Sequence, residues 1–246
     1  MPRFHCFEPD LCPDALEVAL GEEESHHLMR VLRAKEGDSV GVLNGSGLVL
    51  EGSLFFPDHR RAFVRVTDAR EFDRPNLSLH LAVGMPKGKA VDTIVRQATE
   101  LGITSLSFLN AERSEVSAKT LYSKEKSEKW KRVAREACKQ SENPFLPEVE
   151  IAGNLLEWLA GWNKPGRHWV AHPTRSNVTE TLPGLASGQD SLWMLIGPEG
   201  GLTDKELEKA RNVGFDPVSL GSTVLRVETA CVGITSLARQ YSAILS

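Results

Sequence analysis

The sequence predicts an α/β domain preceded by a small β-barrel or meander, and three observations lead there. Up to about residue 72, short alternating apolar runs are separated by turn residues. From Leu77 the pattern becomes apolar run, helical stretch, apolar run, which is how a βαβ unit reads. Near the C-terminus two glycine-bearing segments, Ile196-Gly197-Pro198-Glu199-Gly200-Gly201 and Leu220-Gly221-Ser222-Thr223-Val224-Leu225-Arg226-Val227-Glu228-Thr229-Ala230, each follow an apolar run and lead into a helical pattern. Open α/β sheets hold ligands at such loops, so the two together predict a shared pocket.

In chain order, Ser39-Val40-Gly41-Val42-Leu43 and Ala62-Phe63-Val64-Arg65-Val66 are the clearest barrel strands, with turns at Glu36-Gly37-Asp38, Asn44-Gly45-Ser46-Gly47 and Phe56-Pro57-Asp58-His59. A helical insert covers Ser25 to Arg33. Its Leu28, Val31 and Leu32 are expected on one apolar face, and His26, Arg30 and Arg33, at i, i+4 and i+7, on a basic one. The polar, proline-bearing stretch Glu71-Phe72-Asp73-Arg74-Pro75-Asn76 marks a boundary, giving domains 1–72 and 73–246. Beyond it come a strand at Leu77 to Val83, a helix at Lys89 to Leu101 stopped by Gly102, and a strand at Ile103 to Leu109. A basic helix then runs from about Ser123 to Gln140 and stops before Asn143-Pro144. A helix at Leu155 to Trp162, strands at His168 to Ala171 and Leu192 to Ile196, a helix from Asp204, a strand near Val218 and a helix from Thr229 to Leu245 complete the chain. In the last helix Val232, Ile234, Leu237, Ala238 and Tyr241 are the expected core positions.

Composition sets outer limits. With 246 residues, 41% of them apolar, the chain can bury a sizeable core. It has no run of about eighteen apolar residues and no apolar leader after Met1, so a cytoplasmic protein is expected. Cys6, Cys12, Cys138 and Cys231 form no Cys-x-x-Cys pair and no zinc-ligand spacing, so reduced packing thiols and no metal are expected. A net charge of −4 confines any nucleic-acid footprint to local patches. Gly84-Met85-Pro86-Lys87-Gly88-Lys89 lacks P-loop spacing, and no dinucleotide fingerprint, nucleophile elbow or His-Glu-x-x-His is present. The pocket is therefore read as one for a ligand without a polyphosphate.

Thr203 and Glu206 predict a capping box, which aims the amides of the following helix at the first glycine loop. That loop can serve a ligand or be a tight turn. Arg226 and Glu228, flanking Val227, can be a surface ion pair or a catalytic pair, and spacing alone is compatible with both.

Taken together, the Gly197 to Gly201 loop, the Leu220 to Ala230 loop, the helix end Arg96-Gln97-Ala98-Thr99-Glu100-Leu101-Gly102 and His26-His27-Leu28-Met29-Arg30-Val31-Leu32-Arg33 resemble the RsmE-type ribosomal RNA methyltransferases. The resemblance runs in order over nearly the whole chain. It implies a SPOUT-class domain with a C-terminal trefoil knot and a PUA-like RNA-binding barrel before it. It also implies a homodimer that uses S-adenosylmethionine to form N3-methyluridine in small-subunit (16S) ribosomal RNA. Carried over residue by residue, the cofactor pocket comprises His172 (with Pro173), Ile196, Gly197, Glu199, Gly200, Gly201, Leu220, Gly221, Val224, Leu225 and Arg226. His172 can equally be a turn residue satisfied by backbone. Arg226 is the expected stabiliser of charge on a uracil carbonyl, and Glu228 the group that orients Arg226 or accepts the proton.

RNA contact is expected from Arg3, His26, Arg30, Arg33, Lys87 and Arg113. Lys89 and the basic helix with Lys124, Lys131, Arg132 and Arg135 are further candidates, although a solvated helix face is the favoured reading of that helix taken alone. Two departures from the family pattern stand out. Lys139-Gln140-Ser141-Glu142-Asn143 replaces a stretch that usually ends in arginine, and Arg96 replaces a lysine. A ribose 2′-O-methyltransferase of the same class is the nearest rival reading, disfavoured by Val227-Glu228-Thr229-Ala230 where a serine- and asparagine-rich motif is usual. A non-catalytic RNA-binding assembly factor is the other.

Overall fold

The computed structural model describes residues 2–57, 61–115, 124–172 and 191–245. Asp58, His59, Ser123 and Pro173 lie outside the described residues, as do the side chains of Lys124 and Tyr241. The chain divides into two compact units: one runs to Arg74 and takes in Arg135–Leu146, and the other comprises Pro75–Ala134 and the residues from Pro147 on.

In the first unit β1 (Phe4–Phe7), β2 (Glu17–Ala19), β3 (Ser39–Leu43), β4 (Leu48–Phe55) and β5 (Phe63–Glu71) form a mixed sheet in the order β1-β3-β4-β5-β2. β1 runs parallel to β3, and the other pairings are antiparallel. The Asn44 side chain makes the β3–β4 turn, accepting the N–H groups of Ser46 (2.7 Å) and Leu48 (3.0 Å). Cys6, Leu20, Leu28, Val40, Val42, Leu54, Ala62 and Val64 fill the core.

The helical insert departs from expectation. α1 (Glu22–His26) runs straight into a π-turn, His27–Val31, whose wider winding shifts the side chains that follow out of α-helical phase. Leu28 is buried as expected, but Val31 and Leu32 are 60% and 41% exposed. Arg33, at φ +53°, ends the turn while the Ala34 N–H closes on the Leu28 carbonyl (2.9 Å). His26, Arg30 and Arg33 are all exposed, yet they do not form one α-helical stripe.

The second unit contains β6 (Ser78–Gly84), α2 (Ala90–Glu100), β7 (Ser105–Asn110), α3 (Lys124–Ser141), β8 (Glu148–Asn154), α4 (Leu155–Ala160), β9 (Arg167–Ala171), β10 (Ser191–Ile196), α5 (Asp204–Asn212), β11 (Asp216–Val218) and α6 (Val227–Leu245). The last turns of α3 belong to the first unit. All six strands are parallel, in the order β11-β9-β10-β6-β7-β8. Successive strands step outward from β6 through β7 to β8, and the chain then fills the other side with β10, β9 and β11. The order therefore reverses between β6 and β10, a topological switch point at which an open α/β sheet leaves a crevice. α6 packs against α2, β6 and β10.

Two boundaries differ from the sequence reading. β8 was not anticipated: its alternation Glu148-Val149-Glu150-Ile151 is short and polar on one face, as suits an edge strand. α6 begins at Val227, so Val227 and Glu228 sit in its first turn rather than before it.

Candidate active site

β9, β10 and β11 end side by side at Ala171, Ile196 and Val218, and the residues that follow them enclose a cavity of about 570 Å³. That volume falls within the roughly 300–1,000 Å³ common for small-molecule sites. His172, Ile196, Gly197, Glu199, Gly200, Gly201, Leu220, Gly221, Val224, Leu225 and Arg226 all line it. So do Pro198, within the predicted first loop, Leu202, Ser219 and Thr223, which the sequence reading had not placed in the pocket, and Arg113, which it had placed on RNA.

Local chemistry explains why the chain turns where it does. The capping box is present: Thr203 Oγ1 accepts the Glu206 N–H (3.3 Å), and Glu206 Oε2 accepts the Thr203 N–H (2.8 Å). Glu206 is 1% exposed, and its other oxygen accepts the Glu112 N–H (2.8 Å), so the start of α5 is fixed to the loop after β7. Gly84, read above as part of a failed phosphate loop, has another purpose. A Cβ there would lie 2.4 Å from Pro198 Cδ, so only glycine lets the β10 loop rest on the end of β6.

On the far wall Ser219 Oγ donates to the Gly221 carbonyl (2.9 Å) and accepts its N–H (3.4 Å). Gly221 holds φ +124°, and a Cβ there would meet no atom within 4 Å. Its backbone is therefore bare toward open space, and a ligand can approach it closely. The His172 N–H donates to the Val218 carbonyl (2.9 Å), which ties the ends of β9 and β11 together.

Arg226 is the last residue before α6; its carbonyl accepts the Ala230 N–H (2.9 Å) and its side chain is exposed at the cavity. Glu228 is half-buried and is not part of the wall. Among the described residues the two form no ion pair, so the structure does not bring them together as a preformed dyad. The Cys231 thiol, one helical turn on, is pushed far up by burial, with the Glu228 charge adding to the effect.

The residues expected on RNA fall in both units. In the first, Arg3 pairs with Asp38 (2.8 Å) and lies over the Phe4 ring, while His26, Arg30 and Arg33 are exposed. In the second, the Lys87 ammonium pairs with Glu115, and Arg113 Nη1 donates to the carbonyls of Gly200 (3.1 Å) and Leu202 (3.4 Å). On α3, Lys131 pairs with Glu128 and Arg135 lies over the Phe7 ring, while Arg132 is exposed. Lys139, at one of the departures from the family pattern, is buried and pairs with Glu24 (2.9 Å) and Glu136 (2.7 Å). Burial opposes its charge, but the bonds to Glu136 and Glu24 win and raise its pKa. Among the described residues no group of three or more His, Cys, Asp or Glu could hold a metal, and no helix is long and apolar enough to cross a membrane.

A parallel α/β domain whose glycine loops wall a cavity at its carboxyl edge, with an exposed arginine beside it, has the layout of the small-molecule-binding α/β domains. The model of an RNA methyltransferase domain matches residues 73–239, and that of an RNA methyltransferase PUA domain matches residues 20–67. The chain thus belongs to the RNA methyltransferase family, in the group of ribosomal RNA small subunit methyltransferase E. The protein of that name from Synechocystis is 37% identical over 87% of this chain and 69% of its own length. The Aquifex aeolicus protein is 30% identical over 91% of this chain and 94% of its own. A Legionella pneumophila methyltransferase solved with the cofactor SAM superposes with a TM-score of 0.87 at 26% identity, covering 98% of each chain.

Proposed function

We propose that this chain uses S-adenosylmethionine to methylate N3 of a uridine in small-subunit (16S) ribosomal RNA. The observation that carries the reading is the cavity: both glycine loops singled out in the sequence meet there, inside the segment that matches the methyltransferase family. The residues present suit that cofactor. Leu202, Leu220, Val224 and Leu225 offer apolar surface for a flat ring, and the open space beside Gly221, which has no side chain, lets a ligand approach the backbone closely. His172, Ile196, Gly197, Gly200, Gly201 and Arg226 complete the proposed binding set.

When bound, S-adenosylmethionine supplies an electrophilic methyl carbon on a sulfonium. What the protein must do is activate the nucleophile, because uracil N3 carries a proton and attacks the methyl carbon poorly until that proton leaves. Arg226, a permanent cation at the rim, stabilises the negative charge that spreads onto a uracil carbonyl oxygen as N3 is deprotonated. Glu228, one residue past Val227, is the proposed proton acceptor, a role that requires the base to enter beside the first turn of α6. The loop walls hold the base in line and exclude water.

In this reading residues 1–72 are the RNA-binding barrel and residues 73–246 the methyl-transferring domain, whose C-terminal segment follows the knotted path of the SPOUT class. The protein acts as a cytoplasmic homodimer, without a metal. Arg3, His26, Arg30, Arg33 and Lys87 contact ribosomal RNA in the small subunit, so affinity should fall steeply with salt. The test is Arg226→Ala, which should lower turnover roughly 100- to 1,000-fold while leaving cofactor affinity within about threefold of the parent. Unchanged turnover would remove Arg226 from the chemistry.

A further inference from the structure

Three loops leave the sheet at the carboxyl ends of β10, β6 and β7, which are neighbours in that order. The β10 loop crosses the end of β6, where Pro198 rests on Gly84, and reaches the β7 loop, where the Cβ that Gly200 lacks would lie 2.9 Å from Arg113 Cβ. Two backbones in such contact need something to hold them in register.

Arg113 and Glu199 are placed to do so. Arg113 Nη1 donates to two carbonyls two residues apart, Gly200 (3.1 Å) and Leu202 (3.4 Å). Gly201 between them holds φ +70°, and its N–H donates to the Pro198 carbonyl (2.8 Å), so the turn folds around the guanidinium. Glu199 faces the other neighbour: its Oε1 accepts the Lys87 N–H (2.9 Å) from the loop after β6. The Lys87 ammonium in turn pairs with Glu115, two residues past Arg113.

We infer that Arg113 and Glu199 are positioning residues, which clasp the glycine loop of the cofactor cavity to its two neighbouring loops, and that Arg113 is not an RNA-contacting cation. This deepens the functional reading and rests on it for the identity of the ligand. A guanidinium suits the task because its fixed, always-charged donors reach two carbonyls at once, whereas an ammonium is a point charge on a flexible stem. The carboxylate needs only an acceptor oxygen, so an amide can replace it.

The test uses the full-length chain. Without ligand, Arg113→Ala should speed hydrogen exchange of the Gly201 amide at least tenfold, while amides of β3 to β5 exchange as in the parent and report intact folding. The dissociation constant for S-adenosylmethionine, measured by calorimetry, should rise about tenfold, with its KM rising more than kcat falls. Arg113→Lys should restore only part of the protection. Glu199→Gln should keep the Gly201 amide protected, because the amide oxygen still accepts the Lys87 N–H, and Glu199→Ala should lose that protection. The slope of log RNA affinity on log salt should stay unchanged in Arg113→Ala. A parent-like Gly201 exchange rate in that variant would overturn the clasp, as would parent-like cofactor affinity with a salt slope shallower by about one. If the parent protein itself binds no S-adenosylmethionine, the functional reading fails while the exchange data still decide the clasp.

Discussion

Arg226 and Arg113 both line the cavity, and what separates them is what their side chains already hold. The Arg113 guanidinium is occupied by two loop carbonyls; Arg226 forms no ion pair among the described residues and is exposed at the cavity, which suits its proposed role toward charge on the uracil. The cysteines sort by burial in the same way. Cys12 is exposed, whereas Cys6, Cys138 and Cys231 are buried, and burial pushes the Cys138 thiol up to about 12. A thiol reagent should therefore titrate one cysteine quickly in the native protein and all four after denaturation. Two fast native thiols would contradict the packing.

His80 gives a pH signature. Burial, followed by the Lys164 charge, lowers its pKa from 6.5 to about 4, while its ring stacks on Trp193 with centroids 4.1 Å apart and its Nδ1 lies 2.7 Å from Ser105 Oγ. Between these two values the unfolded chain binds the proton and the folded one does not. The contribution is therefore whole above pH 6.5 and is lost as pH falls toward 4. The Tm of the parent should drop more steeply over that window than the Tm of His80→Asn; parallel curves would refute the assignment.

Among the elements, α5 shows how a helix start is tied into the site. Thr203→Ala removes the N-cap acceptor and should cost about 1 kcal/mol in urea denaturation. Glu206→Ala also strands the N–H groups of Thr203 and Glu112, and should cost about 2–3 kcal/mol. Equal costs for the two would mean that the Glu112 bond contributes nothing. This cap was legible in the sequence because its chemistry is local: two side chains three residues apart serve each other's backbone. The π-turn at His27–Val31 was not legible, because a 3.6-residue period assumed for Leu28, Val31 and Leu32 conceals one extra residue per turn. β8 was missed for a related reason, since an edge strand needs only one apolar face and offers few residues to reveal it. In β8 the Glu150 carboxylate accepts a bond from Ser107 on β7 (2.7 Å).

For the molecule as a whole, both glycine loops could be read from the sequence, whereas the sheet order that brings them together could not. Ile196 and Leu220 share a cavity because β10, β9 and β11 are adjacent, and no local pattern encodes that adjacency. The partners of Arg113 were illegible for the same reason, lying 87 and 89 residues away. Lys139 is a third case: it reads as one more charge on a basic helix but is buried against Glu24, 115 residues away, within the first unit. Lys139→Met should destabilise the protein by about 3 kcal/mol, because Glu24 would keep a buried charge without its cation, and adding Glu24→Gln should recover much of that loss. A double variant no better than the single one would show that the pair is not coupled.

In the proposed reaction this cavity and Arg226 together methylate a uracil base. Its most direct test is to incubate the protein with labelled S-adenosylmethionine and small ribosomal subunits that lack the modification, and then to identify the labelled nucleoside by mass spectrometry. N3-methyluridine is expected, at a yield that collapses with Arg226→Ala. Label on a ribose 2′-oxygen, or cofactor binding with no label in the RNA, would contradict it.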